Sequence, residues 1–416
     1  MINKKPISAC ILIALIITSC SLLGKKELEN SFVVKVSADK LLLSLSNNNK
    51  DEKFREALNV ANEMQGIDSE NYLALFGKAY REVAPNANLA EIFSTIGLRK
   101  SINFNSTNEE VLGVLQRELD QVINQTINIL KVRIKSYGIR HQNVTRIDNS
   151  ENLLIELPAV ENIERVRHLI ETQAKLEFWE TYEGREIFSY LEKINANLPD
   201  DEKMESAIGM KVEEMDEQSR DFVKKYPLFA FLYPAVDASG QLMQGPVAGY
   251  AAIGDTSTVN YMLNNNSVKK ILPQDLRFYW TYKPHPQDET RLQLLAIKVT
   301  TRKGDAPLDG SVITDVTKKN SENENTTIHL SMNSEGAKMW QRLTRANIGR
   351  SIAITLDDYA YAFPRVQAEI QDGQTSITGQ FTEEEAQVLV SILQTGPLPA
   401  PVRIVEENLG KTGPAN

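Results

Sequence analysis

A chain of 416 residues can bury a substantial core and has room for two or three domains. Its formal net charge of −9, from 46 Lys and Arg against 55 Asp and Glu, excludes the broad basic surface that nucleic-acid binding requires. With 42% hydrophobic and 24% charged residues, the composition is that of a packed globular protein and excludes a disordered or low-complexity chain.

Residues 1–19 read as a signal peptide. Lys4 and Lys5 form a positive start, and the apolar run Ile7 to Ile17 is too short to span a bilayer. Ile17-Thr18-Ser19-Cys20 matches the pattern of a bacterial lipobox, a hydrophobic residue and two small ones leading into a cysteine. This pattern predicts cleavage before Cys20 and lipid attachment at that residue. Each buried methylene contributes about 0.8 kcal/mol, so two or three acyl chains make a stable anchor. The alternatives are an ordinary cleaved signal with an incidental cysteine, or a buried apolar start. Cys10 leaves with the signal, so no thiol remains for a disulfide. The expected location is the bacterial envelope, lipid-anchored and periplasm-facing. Ser21, in place of Asp after the cysteine, favours the outer membrane over the inner.

Residues 20–30 form a polar tether, and Phe32, Val34 and Val36 then alternate as a strand. A helical insertion covers 39–103, with stripes at Leu41, Leu42 and Leu45, at Phe54, Leu58 and Ala61, and at Tyr72, Leu75, Phe76 and Ala79. A long helix runs from about Asn108 to Tyr137, with Gly138 as its stop. Val144–Ile147 and Leu153–Leu157 form a hairpin around Asp148-Asn149-Ser150. A helix with Ile163, Val166, Leu169 and Ile170 inward precedes a strand at Lys175–Glu180. Residues 31–180 thus make a β-α-β-β-α-β unit.

Residues 181–310 read as a β-rich insertion. It contains a charged stretch from Asp200 to Asp221, strands at Phe278, Trp280 and Tyr282 and at Leu292–Val299, and glycine punctuation between. Residues 311–407 repeat the first pattern after a hydrophilic loop at Lys318–Thr327. Ile328 and Leu330 alternate, and Ser334 opens a helix through Met339, Trp340, Leu343 and Ala346. Ile352, Ile354 and Leu356 form a strand that turns at Asp357-Asp358, and Tyr359, Tyr361 and Phe363 share one face of the return strand. Val366, Ala368 and Ile370 resume the alternation. Thr382 and Glu385 make a capping box for a helix carrying Ala386, Leu389, Val390 and Leu393. Residues 408–416 are a short tail expected to be disordered. The fold expected is α+β, with two ferredoxin-like βαββαβ units and a helical insertion near the N-terminus.

No catalytic constellation is visible, so the chain is expected not to be an enzyme and to need no cofactor. His141, His168, His285 and His329 lack metal-ligand spacing, and Glu383, Glu384 and Glu385 suit a first helical turn. Asp357 and Asp358 read as turn residues, since Asp tolerates the left-handed conformation. Tyr359, Tyr361 and Phe363 are either core or a candidate polypeptide-binding surface, because rings offer large contact area at low entropy cost.

Several stretches carry a resemblance. Ser334-Glu335-Gly336-Ala337, Asn347-Ile348-Gly349-Arg350, Leu356 to Pro364, Ile377 to Ala386 and Leu398-Pro399-Ala400-Pro401 resemble the motifs x-x-E-G-A, N-x-G-K, L-D-G-x-V-x-S-A-P, I-x-G-x-F-T-x-E-E-A and L-P-A-P of the first periplasmic region of SecD. Ile127–Ile139, Leu153–Ile170 and Lys175–Glu180 resemble that family's R-x-R-x-x-x-x-G, V-x-L-P-G-V and L-E-F segments. Two departures stand out: the family's glycine is Asp358 here, and its paired glycines before the first strand are missing from Leu23–Ser31. The resemblance implies base and head units that handle exported or nascent polypeptide, with Sec translocon subunits or another envelope complex as partners. The family's proton-driven membrane domain is expected to have no counterpart in these residues, where the signal is the only notable apolar run. The expected function is therefore a lipid-anchored module assisting translocation. A structural lipoprotein docked permanently in an envelope complex is the alternative.

Overall fold

The computed structural model describes residues 29–65, 70–198, 216–320, 326–379 and 381–410. The expected signal, Cys20, most of the tether, residues 199–215 and the tail beyond 410 lie outside the described residues.

The first strand, β1 (Asn30–Val36), alternates buried and half-buried positions, with Phe32, Val34 and Val36 fully enclosed. Four helices follow: α1 (Ala38–Leu45), α2 (Glu52–Gln65), α3 (Tyr72–Val83) and α4 (Leu89–Phe93). They share one core with the sheet and with α5 (Asn108–Ser136). Thr107 and Glu110 cap α5 reciprocally, and Gly138 (φ 114) turns the chain beyond it. The hairpin β2 (Asn143–Arg146) and β3 (Asn152–Leu157), the helix α6 (Ile163–Glu171) and the strand β4 (Leu176–Thr181) come next.

The chain continues through α7 (Gly184–Asn197), a helix at Glu217–Lys225, β5 (Tyr233–Pro234), β6 (Val247–Ala252), β7 (Leu276–Trp280), β8 (Arg291–Lys298) and β9 (Leu308–Asp309). Then come β10 (Ile313–Asn320), β11 (Thr326–Met332), the Ser334–Ala346 helix, β12 (Ile352–Leu356), β13 (Tyr359–Ala362), β14 (Gln374–Ile377), the Glu383–Thr395 helix and β15 (Val402–Asn408).

The first sheet has the order β15-β1-β3-β2, antiparallel throughout. The chain passes from β1 to β2 through the helical insertion and α5, and the strand that completes the sheet comes from the far end of the chain. The periodicity predicts the closing strand at Lys175–Glu180, but that segment, β4, belongs to a different sheet and β15 takes its place. β4 is buried at five of its six positions and so requires cover on both faces, which the centre of a larger sheet provides. β15 is exposed over its last four positions, as suits an edge.

Nor do the strands of the second expected unit close on one another. β11 sits between β10 and β14 in a three-stranded sheet, whereas β12 and β13 join an eight-stranded sheet running β13-β12-β4-β8-β6-β5. β7 and β9 complete that sheet by pairing with β8 and β4. Period-2 alternation specifies a face and not a partner, so either pairing satisfies the same pattern. Two local expectations change as well. Asn333, not Ser334, caps the helix by accepting from the Gly336 N–H (2.8 Å). Val366–Ile370 is not a strand, and β14 follows the Asp372-Gly373 turn instead.

Gly336 shows why the E-G-A segment needs its glycine. A Cβ there would lie 2.6 Å from the Val312 side chain, so the helix could not approach as closely. Among the described residues no helix is long and apolar enough to cross a membrane.

Candidate functional site

The β12–β13 hairpin turns through Asp357 (φ 51) and Asp358 (φ 67). The Asp357 carboxylate accepts from the backbone N–H groups of Gln173 (2.7 Å), Ala174 (3.2 Å) and Lys175 (2.8 Å), in the linker from α6 to β4. The Arg133 guanidinium donates to the Thr172 carbonyl and to that of Leu169 (3.4 Å); it also donates to Thr395 Oγ1 (2.9 Å), at the end of the Glu383–Thr395 helix, and to the Gly396 carbonyl (2.9 Å), in a second linker from that helix to β15. Arg133 is fully buried. Burial pushes its guanidinium down to about 10, against the opposing pull of the Asp357 charge. One cation and one carboxylate thus clamp the crossings between the first sheet and the rest of the chain.

The β12–β13 pairing shifts register between Ile354 and Thr355, while β13 itself alternates, with Ala360 and Ala362 buried and Tyr359 and Tyr361 more open. Tyr359 is 48% exposed, Tyr361 is half-buried, and Phe363 lies beyond the strand end at Ala362. Tyr361 and Phe363 line a groove of about 580 Å³ together with Tyr282, Pro284, Pro286 and Phe381. Tyr359 does not line the groove but stands edge-on to Tyr282 at 6.5 Å.

Tyr282 organises the rings. It stacks on Tyr361 at 4.4 Å with 10° between planes, and on its other flank meets His168 at 5.3 Å. Tyr361 in turn lies 6.4 Å from Phe381 at a 20° angle. Tyr282 and Phe381 also wall a second recess of about 260 Å³, which His168, Glu385, Val388 and Leu389 help to line. Gly379 makes room for this arrangement, since a Cβ there would fall 2.5 Å from the Phe381 ring. Lys283 Nζ lies 2.6 Å from the Glu385 carboxylate and 5.2 Å from the Phe381 centroid.

Burial pushes the Tyr361 phenol well above its usual value and raises that of Tyr282. It pushes His168 below the usual imidazole value. These groups are therefore neutral at neutral pH, and the Lys283–Glu385 pair carries opposite charges side by side. Such a groove can take apolar or aromatic side chains and a stretch of extended backbone. Among the described residues no group of three or more His, Cys, Asp or Glu could hold a metal ion.

Of the residues singled out in the sequence, Tyr361 and Phe363 share the groove, Tyr359 flanks it, and Asp357 and Asp358 hold its hairpin. Cys20 is outside the described residues. Tyr282, Phe381, His168 and Arg133 were missed. Phe381 stood inside the I-x-G-x-F-T segment, and Tyr282 ended an alternating aromatic run. His168 and Arg133 gave no local signal of their roles.

A family model described as the SecDF P1 head subdomain matches residues 289–400, and one described as the N-terminal part of the P1 domain of protein translocase subunit SecDF matches 123–183. Protein translocase subunit SecD of Rhodothermus marinus is 33% identical over 384 residues, covering 90% of this chain and 60% of that protein. The chain carries a SecD P1-like region.

The SecD of Calditerrivibrio nitroreducens is 22% identical over 387 residues, covering 92% of this chain and 54% of that protein. The chain therefore spans a little over half the length of these two relatives. Two solved structures cover 69% of it at 19% identity. They are SecDF in a super-membrane-facing form (TM-score 0.37, 28% of that chain) and a membrane component SecDF that enhances protein export (TM-score 0.36, 92% of that chain). Within the SecD P1-like region, the head match contains Tyr361, Phe363, Gly379 and Phe381, and the N-terminal match contains Arg133 and His168. Tyr282 falls between the two.

Proposed function

We propose that the SecD P1-like region holds segments of extended, non-native polypeptide in the groove lined by Tyr282, Tyr361 and Phe363, and so assists translocation or handling of exported proteins. The observation that carries this reading is the stacked pair Tyr282 and Tyr361 beside the buried Phe381 ring: Tyr282 is 40% exposed and Tyr361 half-buried, so the pair keeps surface that a passing side chain can cover. The module acts by binding and does no chemistry of its own. Its partners are exported chains and, through them, the Sec translocon. The first sheet, read as a ferredoxin-like base, supports the groove. Attachment to the membrane is through acylated Cys20, with the groove facing the periplasm.

Binding of a permanently unfolded, reduced and alkylated protein, followed by fluorescence anisotropy, tests the groove. Tyr282→Ala and Tyr361→Ala should each weaken binding by about tenfold, the usual effect of truncating an aromatic anchor. Wild-type affinity in both variants, with the fold intact by circular dichroism, would exclude the groove as the binding surface. Mass spectrometry of the mature amino terminus tests the anchor, and an unmodified terminus upstream of position 20 would sink it.

A further inference from the structure

The loop between α4 and α5, residues 94–107, lies outside both family-matched stretches. It is pinned in place. The Ile102 N–H donates to the Leu98 carbonyl (2.8 Å), the Asn103 N–H donates to Ser106 Oγ (3.2 Å), and the Asn88 side-chain amide reaches the Phe104 carbonyl (3.4 Å). Leu98 and Ile102 are buried and join the first core. Ile96 and Phe104 are turned outward at 80% and 73% exposure, more than any other large apolar side chain among the described residues. Arg99 and Lys100, between them, are exposed too. From Ile92 to Asn108 there is no acidic residue, in a chain of net charge −9; Glu91 and Glu109 bound the stretch.

Single exposed apolar side chains are ordinary. Two on one pinned loop, with two cations between them, are a different combination. The apolar pair gains free energy when covered, and the cations select a covering surface that is anionic where they meet it. An anionic bilayer has both properties, acidic headgroups over an apolar interior. Because the loop is already ordered, docking costs it little conformational entropy. We propose that residues 94–107 dock on an anionic membrane surface, with Ile96 and Phe104 entering the boundary between headgroups and acyl chains and Arg99 and Lys100 resting on the phosphates. The helical insertion thereby gives the protein a membrane contact separate from its amino-terminal segment.

The test is made on the full chain carrying Phe104→Trp, with vesicles of phosphatidylcholine containing about 30% phosphatidylglycerol and brominated acyl chains. Ile348→Trp, at a 53% exposed position remote in sequence, is the control, and Ile96→Trp is a second probe should the first variant fold poorly. Bromine should quench the indole introduced by Phe104→Trp about twofold more than that of the control, and more weakly at high salt. Adding Arg99→Gln and Lys100→Gln, or omitting phosphatidylglycerol, should abolish the difference. Residues 1–20 could bring the chain to vesicles unaided, so sedimentation alone is not the readout. A chain that sediments with the vesicles but shows equal quenching at the loop and control positions overturns the proposal. So does quenching that is indifferent to both cations, or coverage of the loop by a soluble protein in place of lipid.

Discussion

In the first core, Phe54 meets Phe76 and Phe93 edge-on at 6.0 and 5.6 Å, and all three rings are fully buried. In the groove, Tyr282 and Tyr361 lie closer and nearly parallel, yet Tyr282 remains 40% exposed. The same residue class thus serves two ends. Core rings exclude water from every face and contribute to stability. Groove rings keep part of their surface wet and must be held in place by something else. That support is the junction beside them, where Asp357 accepts from the linker's N–H groups and Arg133 donates to the Leu169 and Thr172 carbonyls. Stability and binding are therefore separable, and substitutions can show how cleanly.

The largest effect is expected at Arg133. Arg133→Met leaves carbonyls on both linkers without their donor and should cost about 3 kcal/mol, each unsatisfied buried group costing about 1–3 kcal/mol. Arg133→Lys should recover only part, since one ammonium cannot span both linkers. Urea unfolding measures both, and a loss below about 1 kcal/mol would mean that the clamp does not stabilise the junction.

Asp357→Ala should cost about 2 kcal/mol, as expected for a carboxylate accepting several backbone N–H groups, and Asp357→Asn about half of that. If Asp357→Asn leaves polypeptide binding unchanged while lowering the unfolding midpoint, junction and groove are independent. A joint loss would show that they are coupled.

A smaller effect concerns pH. His168 is held below its usual pKa of 6.5 by burial. Between its folded value and 6.5 the unfolded chain binds more protons, so stability is full above about pH 6.5 and falls as the pH is lowered. His168→Gln should flatten that part of the pH–stability curve. An unchanged slope would assign it to other groups. The smallest effect is expected for Tyr359→Ser, whose ring is half exposed and outside the groove lining. Its stability should stay within about 0.5 kcal/mol of wild type.

Much of this molecule was written in short-range chemistry. The alternation of Phe32, Val34 and Val36, the Thr382–Glu385 capping box and the Asp357-Asp358 turn depend on backbone sterics and on neighbours a few residues away. Such features are legible in one chain read by itself. The SecD P1-like character was legible too, because its motifs are local. What tertiary structure alone decided was partnership. The closing strand of the first sheet is β15 and not β4, although both read as strands, because only the assembled protein offers β4 cover on two faces. Tyr282 finds Tyr361 across 78 intervening residues, and Arg133 finds Gly396 across still more. Periodicity states which face of an element is apolar, and it is packing over long sequence separations that selects what the face meets.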